Sequence, residues 1–243
     1  MIAVILAAGV ASRLRPLTDE TPKCLLKIGN KCFLERSIDA LLANHITEFV
    51  IVTGYRENQI VEFVKNTFPD LNCHFISNPD YATTNNIYSL WLTKDLVANR
   101  QVLLLDSDII YDPLLVKKLK ESPHSSCLAY LRHQLDEEAV KIIIDDQSKI
   151  QEISKTCSID DAAGESIGIE LMSKEFIKHL FIELDKMMTI HKQVDVFYEQ
   201  AFENIMKKGV ELFAVDTTEL FSMEVDTPED YKNAINNIPD HLK

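Results

Sequence analysis

Two kinds of charged cluster in this sequence have the types and spacing needed to handle phosphate. The first lies in LAAGVASRLRPLTDETPKCLL, where the small residues Ala7, Ala8, Gly9 and Ala11 precede Arg13, Arg15 and Lys23. Small side chains let backbone N–H groups approach a phosphate, and the cations that follow neutralise it. The second kind is acidic: Asp106-Ser107-Asp108 ends QVLLLDSD, and Glu224-Val225-Asp226 ends FSMEVD. Residues two apart on a strand share a face, so Glu224 and Asp226 can point together toward Asp108. One or two carboxylates plus substrate phosphates are what Mg²⁺ prefers as ligands. The same acids would also serve as helix caps or solvated turn residues, with Asp106 ranked below the other three. The basic loop is not a P-loop, because no G-K-[ST] follows, and it lacks the dinucleotide fingerprint G-x-G-x-x-G.

The elements that must position these clusters alternate in period. IAVILA (2–7) is apolar throughout, as expected of a strand buried on both faces. Helical spacing over 33–43 is followed by a strand over 48–54, a helix over 57–68, a strand over 73–78, a helix over 86–97 and a strand over 101–108. This alternation predicts an α/β fold, a doubly wound and mostly parallel central sheet with helices on both faces. Ligands in such sheets bind beyond the strands' C-terminal ends, which is where Gly9 and Asp108 fall. After about residue 124 short strand-like pieces at 125–133, 139–146 and 149–154 suggest a small β-rich insertion. A strand over 165–172, helices over 173–185 and 193–208, and two further strands complete the pattern. The terminal helix begins at Thr227 as N-cap with Pro228 at N1. We expect one domain over 1–243, with a nucleotide-binding half (1–124) and an acceptor-binding, metal-completing half (125–243).

Charge sharpens the picture. The 243 residues carry a net −13, which disfavours nucleic acid and anionic membrane surfaces as partners. Residues 1–36 hold six basic against three acidic groups, a net +3, leaving −16 for the remainder. The longest apolar run is too short to span a bilayer and has no basic region before it, so no membrane insertion is expected. The five cysteines lie far apart without metal-ligand spacing and read as free thiols in a reducing cytoplasm.

The N-terminal segment resembles the signature of the nucleotidyltransferase family that makes NDP-sugars and CDP-alcohols, L-A-A-G-x-G-x-R-L-x-P-L-T-x-x-x-P-K-x-L-L. Ala11 stands where many members have glycine. The resemblance implies a nucleotide-diphospho-sugar transferase-like fold. It implies that Leu6, Ala7, Ala8 and Gly9 line the base and ribose, and that Arg13 and Lys23 hold the triphosphate. Asp108, Glu224 and Asp226 resemble the family's Mg²⁺ ligands. NPDYATTNNIYSLWL (78–92) resembles the N-N-x-Y-S-L segment of bacterial phosphocholine cytidylyltransferases. There Asn85, Asn86 and Ser89 would read cytosine, although helix capping is their ordinary role. Tyr81 and Tyr88 are more ordinarily packing residues.

Lys155 aligns with a family lysine that contacts the acceptor's phosphate, with Thr156 in place of the usual proline. Glu165 and Asp195, with Phe197 and Tyr198, would form a pocket for a cationic head group, or the two aromatics would simply pack in the core. Choline-specific relatives place a tryptophan near 136–140, and LDEEAV has none. The expected activity is transfer of CMP from CTP to phosphocholine or a related amino-alcohol phosphate or phosphonate, with release of pyrophosphate. A sugar-1-phosphate nucleotidyltransferase is the alternative. A glycosyltransferase using D-S-D as its D-x-D metal motif ranks third, since such enzymes lack the R-L-x-P-L-T-x-x-x-P-K segment. A homodimer is an open option.

Overall fold

The computed structural model describes residues 1–243. Its strands are β1 (Ile2–Ala7), β2 (Lys27–Ile28), β3 (Lys31–Cys32), β4 (Glu48–Thr53), β5 (Asn72–Ser77), β6 (Val102–Asp106), β7 (Ile109–Tyr111), β8 (Cys127–Leu131), β9 (Lys141–Ile144), β10 (Ile150–Ser154), β11 (Gly164–Met172), β12 (Phe213–Asp216) and β13 (Ser222–Glu224). The α-helices are α1 (Phe33–Ala43), α2 (Glu57–Thr67), α3 (Asn86–Leu92), α4 (Lys94–Val97), α5 (Leu114–Lys120), α6 (Lys174–Lys186), α7 (Glu199–Met206) and α8 (Pro228–Asn237). None is long and apolar enough to cross a membrane.

Nine strands form one sheet in the order β10-β9-β11-β6-β1-β4-β5, with β8 and β12 branching from β11. The strands β6-β1-β4-β5 run parallel, with β6, β1 and β4 apolar and buried and β5 (NCHFIS) the more polar edge. β1 is buried along its whole length. Its alternate residues feed two cores: Ile2, Val4 and Leu6 pack with α3, α6 and α7, while Ala3, Ile5 and Ala7 pack with α1, α2 and α5. From β1 the chain moves outward to β4 and β5, then returns to place β6 on the other side of β1. That reversal opens a crevice at the C-terminal ends of β1 and β6. Leu6 pairs with Asp106 in register, so the loop after β1 and the acids after β6 leave the sheet side by side.

The β-rich segment continues this sheet. β11 is its spine, antiparallel to β6, β8 and β9. Its register on β8 shifts between Ser166 and Glu170. Gly168 lies in this shift at φ +69°, and a Cβ there would sit 2.6 Å from Asp106 Oδ2. Only glycine allows β11 to close on the end of β6.

Three expectations need correction. The helix expected over 86–97 breaks at Thr93, where ψ is −7° and the side chain turns back to the Leu90 carbonyl. The helix expected over 193–208 begins only at Glu199, because the preceding residues bond to the start of α3. Val194 O accepts from Asn85 N (2.9 Å), and Tyr198 N donates to Asn86 Oδ1 (3.0 Å). α5, β7 and the β2–β3 hairpin are additional elements, too short to show a period. The five cysteines are unpaired, four of them buried.

Candidate active site

A cavity of about 810 Å³ occupies the crevice. One end is built by the loop after β1. Leu6, Ala7, Ala8 and Gly9 line it, followed by Ala11, Ser12, Arg13 and Lys23. Ala11 adopts φ +50°, ψ +51°, the left-handed conformation that explains why glycine suits this position. Thr18 Oγ1 donates to the Ala11 carbonyl at 2.9 Å and holds the turn. Behind it, Leu14, Ile28, Phe33, Val225, Ala234 and Ile238 form a third apolar cluster that anchors the loop to α8. α8 starts with the expected Thr227 cap and Pro228, reinforced by Asp230 in a reciprocal capping box.

Asn78, Tyr81, Thr84, Asn85, Asn86 and Ser89 form the adjoining wall. Their mutual bonds limit what they offer a ligand. Asn85 caps α3, and the Asn86 carboxamide oxygen is taken by Tyr198 N. Ser89 Oγ accepts from Asn78 Nδ2 at 3.1 Å, with both residues buried. Asn78 organises this wall by also bonding Thr84 (3.2 Å) and Asp80 N (3.0 Å). It was visible in the sequence only as one asparagine among several.

At the centre, β7 pairs antiparallel with β13, setting Glu224 opposite Ile109, and Val225 N donates to Asp108 O (3.3 Å). This small ribbon brings acids 116 residues apart in sequence into one group. Oxygen atoms of Asp108, Glu224 and Asp226 all lie within 4.8 Å of one another. Lys23, almost fully buried, places Nζ 2.7 Å from Asp108 Oδ2 and 2.5 Å from Asp226 Oδ1, and Arg13 also pairs with Asp226. Burial alone would favour loss of the Lys23 proton, but the two carboxylates hold it above the ordinary lysine range. Asp226 is held below the carboxylate range: desolvation opposes this, and Lys23 and Arg13 outweigh it. Glu224 makes no ion pair and, although its side chain is open to the cavity, is raised above the ordinary carboxylate range by desolvation within the cluster and by Asp108 and Asp226, against the pull of Lys23. Asp108 Oδ1 is buried without a hydrogen-bond partner. An orphaned carboxylate oxygen beside two more carboxylates suits a small, hard divalent cation.

The far end is lined by His133, Asp136, Glu138, Lys155, Glu165 and Phe197. Lys155 pairs with Glu138 (3.2 Å) and lies 4.8 Å over the Phe197 ring. Glu165 meets His133 Nε2 at 2.7 Å. The loop carrying Asp136 and Glu138 is folded over Lys141, a buried lysine whose Nζ donates to the carbonyls of Asp136 and Ala139, both at 3.1 Å. Two expected residues are not on the wall. Asp195 is exposed outside the cavity. Tyr198 is wholly buried, packs on Phe202, and donates its hydroxyl toward Glu170 Oε1 (3.1 Å) and Asp106 Oδ2 (3.2 Å). The start of α7 is turned so that Glu199, rather than Tyr198, lines the cavity. Asp106 sits in this floor, its carboxyl raised by desolvation and by Asp108, Glu170 and Glu199.

Comparisons with known proteins agree with this geometry. The nucleotidyl transferase family profile matches residues 2–157. A choline-phosphate cytidylyltransferase of Streptococcus pneumoniae is 28% identical over 234 residues, 96% of each chain. The CMP-5'-(3-aminopropyl)phosphonate synthase of Streptomyces rubellomurinus is 26% identical over 247 residues, 96% of this chain and 38% of that longer protein. In three dimensions, the structure of CTP:phosphocholine cytidylyltransferase from Streptococcus pneumoniae superposes with a TM-score of 0.79 at 24% identity, covering 98% of this chain and 99% of that one. With the loop, the crevice and the family match in agreement, the chain belongs to the nucleotidyl transferase family and is a nucleotidyltransferase.

Proposed function

We propose that the protein transfers CMP from CTP to a small amino-alcohol phosphate or aminophosphonate and releases pyrophosphate. The observation that carries this reading is the polarity of the cavity along its length. Small residues, Arg13 and Lys23 form one end, three carboxylates the middle, and an acid-rich wall with Lys155 the other. A nucleoside triphosphate suits the first end, and a zwitterion, anionic at one tip and cationic at the other, suits the last. Two similar proteins named for cytidylyl transfer to choline phosphate and for an aminopropylphosphonate product favour this acceptor class over sugar phosphates.

The chemistry follows from charge. An oxygen of the acceptor's phosphate or phosphonate attacks the α-phosphorus of CTP in line, and the bond to the β-phosphate oxygen breaks. No proton need be removed from a dianionic acceptor, so the protein's work is positioning and neutralisation. The left-handed turn at Ala11 aims the loop at the triphosphate. Arg13 and Lys23 stabilise the charge building on pyrophosphate, which requires them to leave Asp226 and Asp108 when the nucleotide arrives. Asp108 and Asp226, with Glu224, would hold Mg²⁺, which when bound screens the repulsion between acceptor and α-phosphate. Lys155 would meet the acceptor's anionic group, and Asn78, Asn85 and Ser89 would bound the base. A direct test is incubation with CTP, Mg²⁺ and 2-aminoethylphosphonate, followed by ³¹P NMR. The expected product has a new phosphonate–phosphate anhydride pair beside free pyrophosphate, and EDTA abolishes both. Unchanged CTP with every amino acceptor would refute the reading.

A further inference from the structure

Glu199 is a group the transfer chemistry leaves unused. It opens α7, is 6% exposed, lines the cavity, and has an Oε2 atom with no hydrogen-bond partner. A carboxylate oxygen buried without a donor is unfavourable, so this position calls for a ligand that brings one. Its surroundings decide the kind of donor. Buried Glu170 also has an oxygen without a partner, and Asp106 lies beside both. Glu165 and Glu138 are already answered by His133 and Lys155. A ligand hydroxyl would bring one donor and no charge. A primary ammonium brings three donors and a positive charge to carboxyl groups whose nearest cation, Lys155, is already paired with Glu138.

Aromatic geometry separates a primary ammonium from a trimethylammonium. A trimethylammonium has no N–H and is held by faces of several rings. Here Tyr198 is sealed in the core, and Phe197, the aromatic residue at this end of the wall, already faces Lys155 Nζ. Burial pushes Glu199 up to about 7, and a cation bound against it would restore its charged form.

We propose that Glu199 receives the acceptor's primary ammonium group and makes the enzyme prefer primary amines to trimethylammonium acceptors. The assignment rests on the cytidylyl-transfer reading of the same cavity and adds its acceptor specificity. Three phosphomonoesters of matched length test it: phosphoethanolamine, phosphocholine and propyl phosphate, each with CTP and Mg²⁺. In the unaltered enzyme, kcat/KM for phosphoethanolamine should exceed that for propyl phosphate by about 30-fold, as expected for a charged hydrogen bond, and should also exceed that for phosphocholine. Glu199→Gln should collapse the first ratio toward one through KM, and Glu199→Asp should recover part of it. Phosphocholine as the best acceptor, or a Gln variant that keeps the wild-type ratio, would overturn the assignment while leaving cytidylyl transfer intact. A Gln variant that weakens CTP binding measured without acceptor would place Glu199 on the nucleotide and overturn it as well. The comparison among acceptors in the unaltered enzyme stands even if a variant fails to fold. No turnover of CTP with any of the three would instead count against cytidylyl transfer.

Discussion

The two ends of the cavity are built on different terms. At the β1 end the functional groups come from one continuous stretch of chain, backbone and side chain together, braced by Thr18 and by the α8 cluster. At the acid-rich end they come from four separate places: the loop folded over Lys141, the turn after β10, the shifted strand β11 and the start of α7. A triphosphate presents the same shape and charge whichever acceptor it meets, so a contiguous loop can serve it. Acceptors vary in length and head group, and a wall assembled from independent segments can change one contact without disturbing the rest. Between them the β7–β13 ribbon joins both ends at the carboxylates.

If the centre serves both ends, breaking it should have the largest effect. Asp108→Asn and Asp226→Asn are each expected to lower turnover by about 10³-fold or more with the fold retained, at some loss of stability because buried Lys23 is left with one charged partner. Pyrophosphate release measured alongside thermal unfolding checks this, and Mg²⁺-dependent turnover surviving in both variants would contradict the metal assignment. Lys23→Ala should come next, with kcat down on the order of 10²-fold for every acceptor tested. A loss confined to one acceptor would move Lys23 from the triphosphate to the other end.

A third experiment separates the ends by pH. Glu199 binds its proton more tightly folded than unfolded, because its value is raised to about 7 from the ordinary 4.5. Stability from this group is therefore full below about 4.5 and lost as pH rises through 7, a change on the order of 3 kcal/mol at most. Glu199→Gln should accordingly raise the melting temperature at pH 8, by several degrees, and much less at pH 5. An equal shift at both values would mean that Glu199 carries no such strain.

Smaller effects test the corrections. Tyr198→Phe removes a buried hydroxyl and should cost about 1–2 kcal/mol of stability without changing KM for the acceptor. A raised acceptor KM at unchanged stability would return Tyr198 to the wall. Ala11→Gly relieves a left-handed alanine and should be neutral or stabilising by about 1 kcal/mol, read by denaturant unfolding.

Legibility in the sequence follows the same division. The β1 end was readable because its residues are contiguous and follow a buried strand of a parallel sheet, at whose C-terminal edge ligands bind. Glu224 and Asp226 were readable from their two-residue spacing, although the ribbon uniting them with Asp108 is too short to show a period. Glu199 was hidden by geometry. The segment over 193–198 looks helical, yet it bonds to α3, and after that detour Tyr198 lies in the core and Glu199 on the cavity wall. No spacing rule announces such a placement. Lys141 was hidden for a related reason, since a lone lysine in AVKIII does not reveal that backbone carbonyls will enclose it.

In the proposed function one cavity joins a cytidine nucleotide to an amino phosphate or phosphonate. The most direct test of this is a pyrophosphate-release matrix crossing CTP, UTP, dTTP, GTP and ATP with phosphoethanolamine, 2-aminoethylphosphonate, phosphocholine and hexose 1-phosphates. Release concentrated in the CTP row and the amino-acceptor columns is the predicted result. Release confined to hexose 1-phosphates with another nucleotide would contradict it.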